Sequence, residues 1–122
     1  MSVFMTLIIG ISSCKNDNDK IIGKWQINKI SDTNGFRECH YQGWMEFRPD
    51  GEFVEYDKCN NATIEGKWHL DKIGKLTIVQ FRTGVPRLDY DVKKLSNRKL
   101  VIQAETLIKL FGEEPRISFK KI

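Results

Sequence analysis

Three cysteines, two histidines and the alternating carboxylates Glu55 and Asp57 are the side chains of this 122-residue chain whose types and spacing could do chemistry. Cys39, His40 and Cys59 would bring three metal-binding atoms together. Structural zinc takes four ligands at short, regular spacings, and no fourth ligand falls at such a spacing here. We therefore expect no metal and no cofactor. Glu55 and Asp57 stand two residues apart, so on a strand they share a face. Such a pair does acid–base work when a cleft raises one pKa and admits a substrate. It can also hydrogen-bond a ligand, or sit in water at a rim. His69 falls on a polar strand face. No nucleophile motif, glycine-rich phosphate loop or dinucleotide fingerprint accompanies these groups. We expect no enzyme and no catalytic residue.

The elements that position these groups must fit one small domain. Hydrophobic residues make up 40% and charged residues 30%, and seven Phe, three Trp and three Tyr supply large core material. The net charge is +4, but 20 basic residues are interspersed with 16 acidic ones. The longest lysine runs, Lys93-Lys94 and Lys120-Lys121, are pairs. That pattern describes a mixed solvated surface, and we expect no nucleic-acid partner.

The N-terminus reads as an address. Val3 to Ile11 is an apolar run, shorter than the roughly 20 residues that span a bilayer and of the length of a signal-peptide core. It ends in Ile11-Ser12-Ser13-Cys14. This resembles the bacterial lipobox, in which small residues precede a cysteine that is lipidated and becomes the new N-terminus. The absence of Lys or Arg before Ile11 departs from that pattern. Residues 1–13 are expected to be a lipoprotein signal peptide, and 14–20 the lipidated Cys14 with a flexible polar tether. The alternative makes Val3 to Ile11 a buried strand. Lipidation would place the protein in the bacterial cell envelope, as an outer-membrane lipoprotein facing the periplasm or the cell surface. The acidic residues after Cys14 weakly resemble surface-export signals of Bacteroidetes lipoproteins.

From Ile21 onward the chain reads as strands and turns. Ile21 to Ile30 places Trp25 and Ile27 on one face. Tyr41 to Arg48 and Glu52 to Lys58 flank Pro49-Asp50-Gly51 as a hairpin. Its register opposes Phe47 to Phe53, Met45 to Glu55 and Gly43 to Asp57. The more apolar face, with Met45, Phe47, Phe53 and Glu55, is expected inside, and Trp44 and Tyr56 keep the opposite choice open. Cys39 and Cys59 come out offset by two residues on that face, and a bulge or small slip would join them. With Cys14 lipidated, a Cys39–Cys59 disulfide is expected over two buried free thiols. Closing that loop contributes about 3 kcal/mol. Further strands run over Thr63 to Leu70, Lys75 to Arg82, Leu88 to Leu95, Leu100 to Leu110 and Arg116 to Ile122. Ala104 to Phe111 could instead form a short helix. Turn signals fall at Ser31–Gly35, Thr83–Pro86 and Gly112–Pro115. Eight short strands on sequential turns predict an all-β, antiparallel up-and-down barrel over 21–122.

At this point the residues resemble a family. Ile21-Ile22-Gly23-Lys24-Trp25-Gln26-Ile27, the segment Met45 to Phe53 and the later Gly66-Lys67-Trp68 occur in the order found in small lipocalin-like lipoproteins of Bacteroidetes. The resemblance implies a barrel with Gly23 and Trp25 at its closed end and Arg116 packed on that tryptophan. The helix that commonly follows the barrel in lipocalins has no counterpart in the stretch to Ile122. The resemblance also implies a binding module for a small apolar or amphipathic molecule. Tyr41, Met45, Phe53, Glu55, Trp68, Ile78, Tyr90, Ile102 and Phe119 would line its lumen. The alternative is a structural or protein-interaction lipoprotein whose barrel is filled by its own side chains.

One expectation concerns the address alone. Radiolabelled palmitate should enter the protein in its host and be lost in Cys14→Ala; labelling that survives the substitution would rule Cys14 out as the acceptor.

Overall fold

Period-two alternation over so many short strands leaves one apolar face on each, and curling the sheet on itself buries all of them at once. A computed structural model describes residues 17–31, 36–81, 87–105 and 115–122. The expected lipobox and apolar run, the turns at 32–35 and 82–86, and the alternatives placed on 106–114 lie outside these residues. Strands β1 (Gly23–Ile30), β2 (Trp44–Phe47), β3 (Glu52–Asp57), β4 (Ala62–Leu70), β5 (Lys75–Gln80), β6 (Arg87–Leu95), β7 (Lys99–Ala104) and β8 (Arg116–Lys121) pair in sequence order, and β8 returns to β1. The all-β, eight-stranded antiparallel barrel is as expected. Among the described residues, closure gives every strand a hydrogen-bonded neighbour on both sides.

The β2–β3 register joins Phe47 to Phe53 and Met45 to Glu55, as the turn chemistry requires. Met45, Phe47 and Phe53 are buried inside. Trp44 and Tyr56 pair outside, their rings 6.1 Å apart, with the Lys24 ammonium 4.4 Å over Trp44. Gly66 faces inward on β4, where a Cβ would collide with the Val79 carbonyl oxygen on β5. The glycine lets those two strands approach closely.

Two short helices replace expected strand or tether. Helix α1 (Asp17–Ile21) takes the end of the supposed tether and the first residue of the supposed strand. Its reason is burial: Ile21 is fully buried at the closed end, and its carbonyl accepts a 2.7 Å hydrogen bond from Trp25 Nε1. Asp17 and Asp19 fall in the first turn, and Lys20 in the last, where the helix dipole favours each charge. Helix α2 (Glu38–Gln42) replaces the start of the Tyr41–Arg48 strand. One helical turn brings Cys39 beside Cys59, with Cα atoms 5.0 Å apart and the disulfide formed. An extended strand would have left them two residues out of step. Gly43 then leads from α2 into β2 against the Tyr56 carbonyl, where a larger residue would clash.

The core occupies the end of the barrel where β1 begins. Ile21, Trp25, Phe47, Phe53, Leu76 and Leu100 are each nearly or wholly inaccessible there. Phe47 packs tilted on Phe53 at 5.4 Å and edge-on against Trp68 at 5.6 Å. Gly23 has φ of +130°, a conformation that suits glycine, and the Lys121 side chain lies across it. Lys121 also places its ammonium 4.9 Å over the Trp25 ring and donates to the Lys20 carbonyl at 3.0 Å.

Arg116 does not take the place expected of it. It stands at the opposite end of β8, beside Gln103, and is exposed. Antiparallel pairing aligns Trp25 with Lys121, four residues after Ile117. The cation over the tryptophan is therefore a lysine near the end of β8, not the arginine at its start.

Replacing Trp25 tests this end of the fold. Trp25→Ala should cost about 3–5 kcal/mol in urea unfolding. Trp25→Phe should cost about 1–3 kcal/mol and should speed amide exchange in α1, because the Ile21 carbonyl loses its donor. Unchanged midpoints in both would remove Trp25 from the role of keystone.

Candidate functional site

Above the packed end the same inward-facing rows leave space. A cavity of about 230 Å³ runs from Trp25 to a mouth bordered by Cys39, His40, Asp57 and Lys58. Trp25, Met45, Glu55 and Ile64 are successive cross-strand partners across β1 to β4. The tryptophan that seals one half thus also floors the other. On one side of its ring lie the large side chains of Phe47, Phe53 and Trp68, and on the other the aliphatic Ile78, Leu88 and Ile102 border the cavity.

Six of the nine residues expected to line a lumen border this cavity: Met45, Glu55, Ile78, Tyr90, Ile102 and Phe119. Three do not. Phe53 and Trp68 face inward but belong to the packed half, where Trp68 Nε1 donates to the Arg48 carbonyl at 2.9 Å. Tyr41 lies on α2 rather than on a strand, so alternation does not aim it inward. Ile27, Leu88 and Ile117 border the cavity as well. Each stands two residues along a strand from a residue already singled out (Trp25, Tyr90 and Phe119), so the period-two signal was sufficient to find them.

Polar side chains border the cavity from β3, β5 and β6. Glu55 projects into the cavity from β3, and burial followed by the charge of Asp57 pushes its pKa above the ordinary 4.5. Burial and the Glu55 charge push the Tyr90 phenol up to about 12, so it stays protonated. Asp57 behaves differently, although it neighbours Glu55. It accepts from the side chain of Asn60 at 2.7 Å and from the Cys59 and Asn60 amides, and its pKa is held low. Asp57 therefore binds the β3–β4 turn, while Glu55 faces the cavity.

His40 sits at the mouth with its Nδ1 accepting from the Arg37 amide at 2.8 Å, and its ring packs edge-on against Phe36. Cys39, His40 and Cys59 do gather, but the two sulfurs are bonded to each other. A disulfide sulfur offers no thiolate to a metal. The cluster is a staple fastening α2 beside the mouth. His69 is exposed on the outer face of β4.

The raised Glu55 pKa has a sign. The folded state holds that proton more tightly than the unfolded chain, so a penalty for the charged form is absent below pH 4.5 and grows as pH rises through the raised value. Glu55→Gln should therefore melt several degrees above the parent at neutral pH and close to it below pH 4.5. A constant difference at all pH values would show that the carboxyl titrates as an ordinary surface group.

Comparisons with known proteins agree with this architecture. The lipocalin-like domain family matches residues 21–102. A crystal structure of a lipocalin-like protein from Bacteroides uniformis superposes with a TM-score of 0.61 at 18% identity, covering 84% of this chain and 99% of that one. At that identity the likeness is one of fold. The comparison with curated proteins returns no match. Lipocalin-like domains are generally a non-enzymatic fold compatible with binding small hydrophobic molecules. The family match and the closed eight-stranded barrel make this protein a member of the lipocalin-like domain family.

Proposed function

We propose that this protein is a lipid-anchored cell-envelope lipoprotein that binds one small amphipathic molecule in the open half of its barrel. The observation that supports binding is the cavity of about 230 Å³, apolar on most sides and carrying the Glu55 carboxyl and the Tyr90 phenol. A few oriented polar groups in an apolar cavity is the usual composition of a ligand site. Its volume falls below the roughly 300–1,000 Å³ of sites for drug-sized molecules, so the ligand is small. At about 30 Å³ per heavy atom it has about eight.

The anchor rests on the Ser12-Ser13-Cys14 motif. Asp17 follows Cys14 by three residues, a reach of about 10 Å, and α1 packs at the closed end. On this reading the membrane lies on the closed side and the mouth opens away from it. An outer-membrane location, facing either the periplasm or the cell surface, goes with the same proposal.

The filled lower half, with Phe47, Phe53, Leu76 and Leu100, favours a second reading. In it the barrel is a scaffold, and function lies on its outer surface with a protein partner. Native mass spectrometry of protein purified from its host, together with thermal shift on added heptan-1-ol, separates the two. Binding predicts a bound small molecule released on unfolding and a rise in melting temperature with heptan-1-ol, both lost in Leu88→Trp, which fills the cavity. No adduct and no heptan-1-ol response in the folded parent would favour the scaffold.

A further inference from the structure

The cavity is asymmetric in charge. Ile27, Leu88, Ile102, Ile117 and Phe119 form an apolar wall from β1, β6, β7 and β8. Glu55 and Asp57 stand on β3, and the Tyr90 phenol faces from β6. The other ionisable groups among the described lining residues are His40 on α2 and Lys58, exposed just beyond β3, both at the mouth, and Tyr56, whose hydroxyl donates to Asn61. Among the described residues, no arginine or lysine lines the interior below that rim.

The two carboxylates are not equivalent. Asp57 is spoken for by three hydrogen bonds from its own turn. Glu55 receives none from any described residue. A half-buried carboxylate beside a like charge, with no donor, is costly until a donor or cation arrives. An anion that passed Lys58 at the rim would meet Glu55 and Asp57 inside, with no cation among the described residues that line the interior. A neutral amphiphile would satisfy Glu55 with one hydroxyl. An ammonium would satisfy it with a charge-assisted bond and relieve the repulsion from Asp57.

We propose that the ligand is a small organic amine, its apolar body against the Ile102–Phe119 wall and its ammonium donating to Glu55. This deepens the binding reading and rests on it. The ammonium is placed by one carboxylate, and the apolar wall accepts a straight chain or a single ring of about eight heavy atoms.

The test is calorimetric titration of the folded domain at neutral pH with heptylamine, heptan-1-ol and heptanoate. These share a chain and differ in head group. Heptylamine should bind about tenfold or more tighter than heptanoate, with heptan-1-ol between them. Glu55→Gln should keep heptan-1-ol binding and erase the preference for the amine. Glu55→Asp, which retains the charge, should keep that preference. If heptan-1-ol binds but heptanoate equals or exceeds heptylamine, the amine proposal is overturned and the binding reading stands. If the preference persists in Glu55→Gln, Glu55 is not the recognising group and the proposal fails. If heptan-1-ol itself does not bind the parent, the reading beneath the proposal fails with it.

Discussion

The buried Trp25 ring is the contact on which the rest of the barrel depends. Its indole N–H has to find an acceptor once it leaves water, and the carbonyl of Ile21, four residues earlier, provides it. That bond turns the preceding segment into a helical turn and draws Ile21 into the core. The ring meets Met45 across β2, and the Lys121 ammonium lies over it from β8. One side chain thereby ties the helix, the first two strands and the last strand into a closed end. Gly23 makes room for this, since a side chain there would press on Lys121 in a strained conformation.

The same ring divides the interior. On its closed side, Phe47, Phe53 and Trp68 meet through tilted and edge-on contacts, and Phe47 and Phe53 are almost wholly buried. On its open side, Ile27, Ile78, Leu88, Ile102 and Ile117 border the cavity. Barrels of eight strands stand near the size at which side chains just fill the interior or leave one small cavity. Here the distribution of aromatic rings decides between the two outcomes, one at each end. The polar groups follow this division. Glu55 lies above the floor, where it is screened from water but unpaired, whereas Asp57, two residues on, reaches its own turn and is satisfied there.

Much of the barrel was legible because a strand has a period of two and a hairpin has few turn geometries. Pro49-Asp50-Gly51 set the β2–β3 register, and Met45, Phe47, Phe53 and Glu55 followed onto one face. Alternation along β6, β7 and β8 likewise placed Tyr90, Ile102 and Phe119 inside. It could not say at what height a residue lies, because height depends on strand tilt and on the stagger between neighbours. Alternation alone therefore makes Phe53 and Trp68 lining residues, whereas they pack in the core. Arg116 failed for a related reason: its distance from Trp25 is set by the direction and pairing of β8, not by residue type. Tyr41 failed because five residues around the disulfide adopt a helix whose stability comes from contacts distant in the chain.

The sequence by itself determined the fold class and the alternation of inward and outward faces, and it favoured Cys39 and Cys59 as disulfide partners. Those follow from local periodicity, turn chemistry and residue type. Only the tertiary structure decided which inward residues interlock and which border space, why Glu55 lacks the partners that Asp57 has, and which cation covers Trp25. Each of these depends on how eight tilted strands are staggered around a common axis, and on distances between residues far apart in the chain that no short-range pattern specifies.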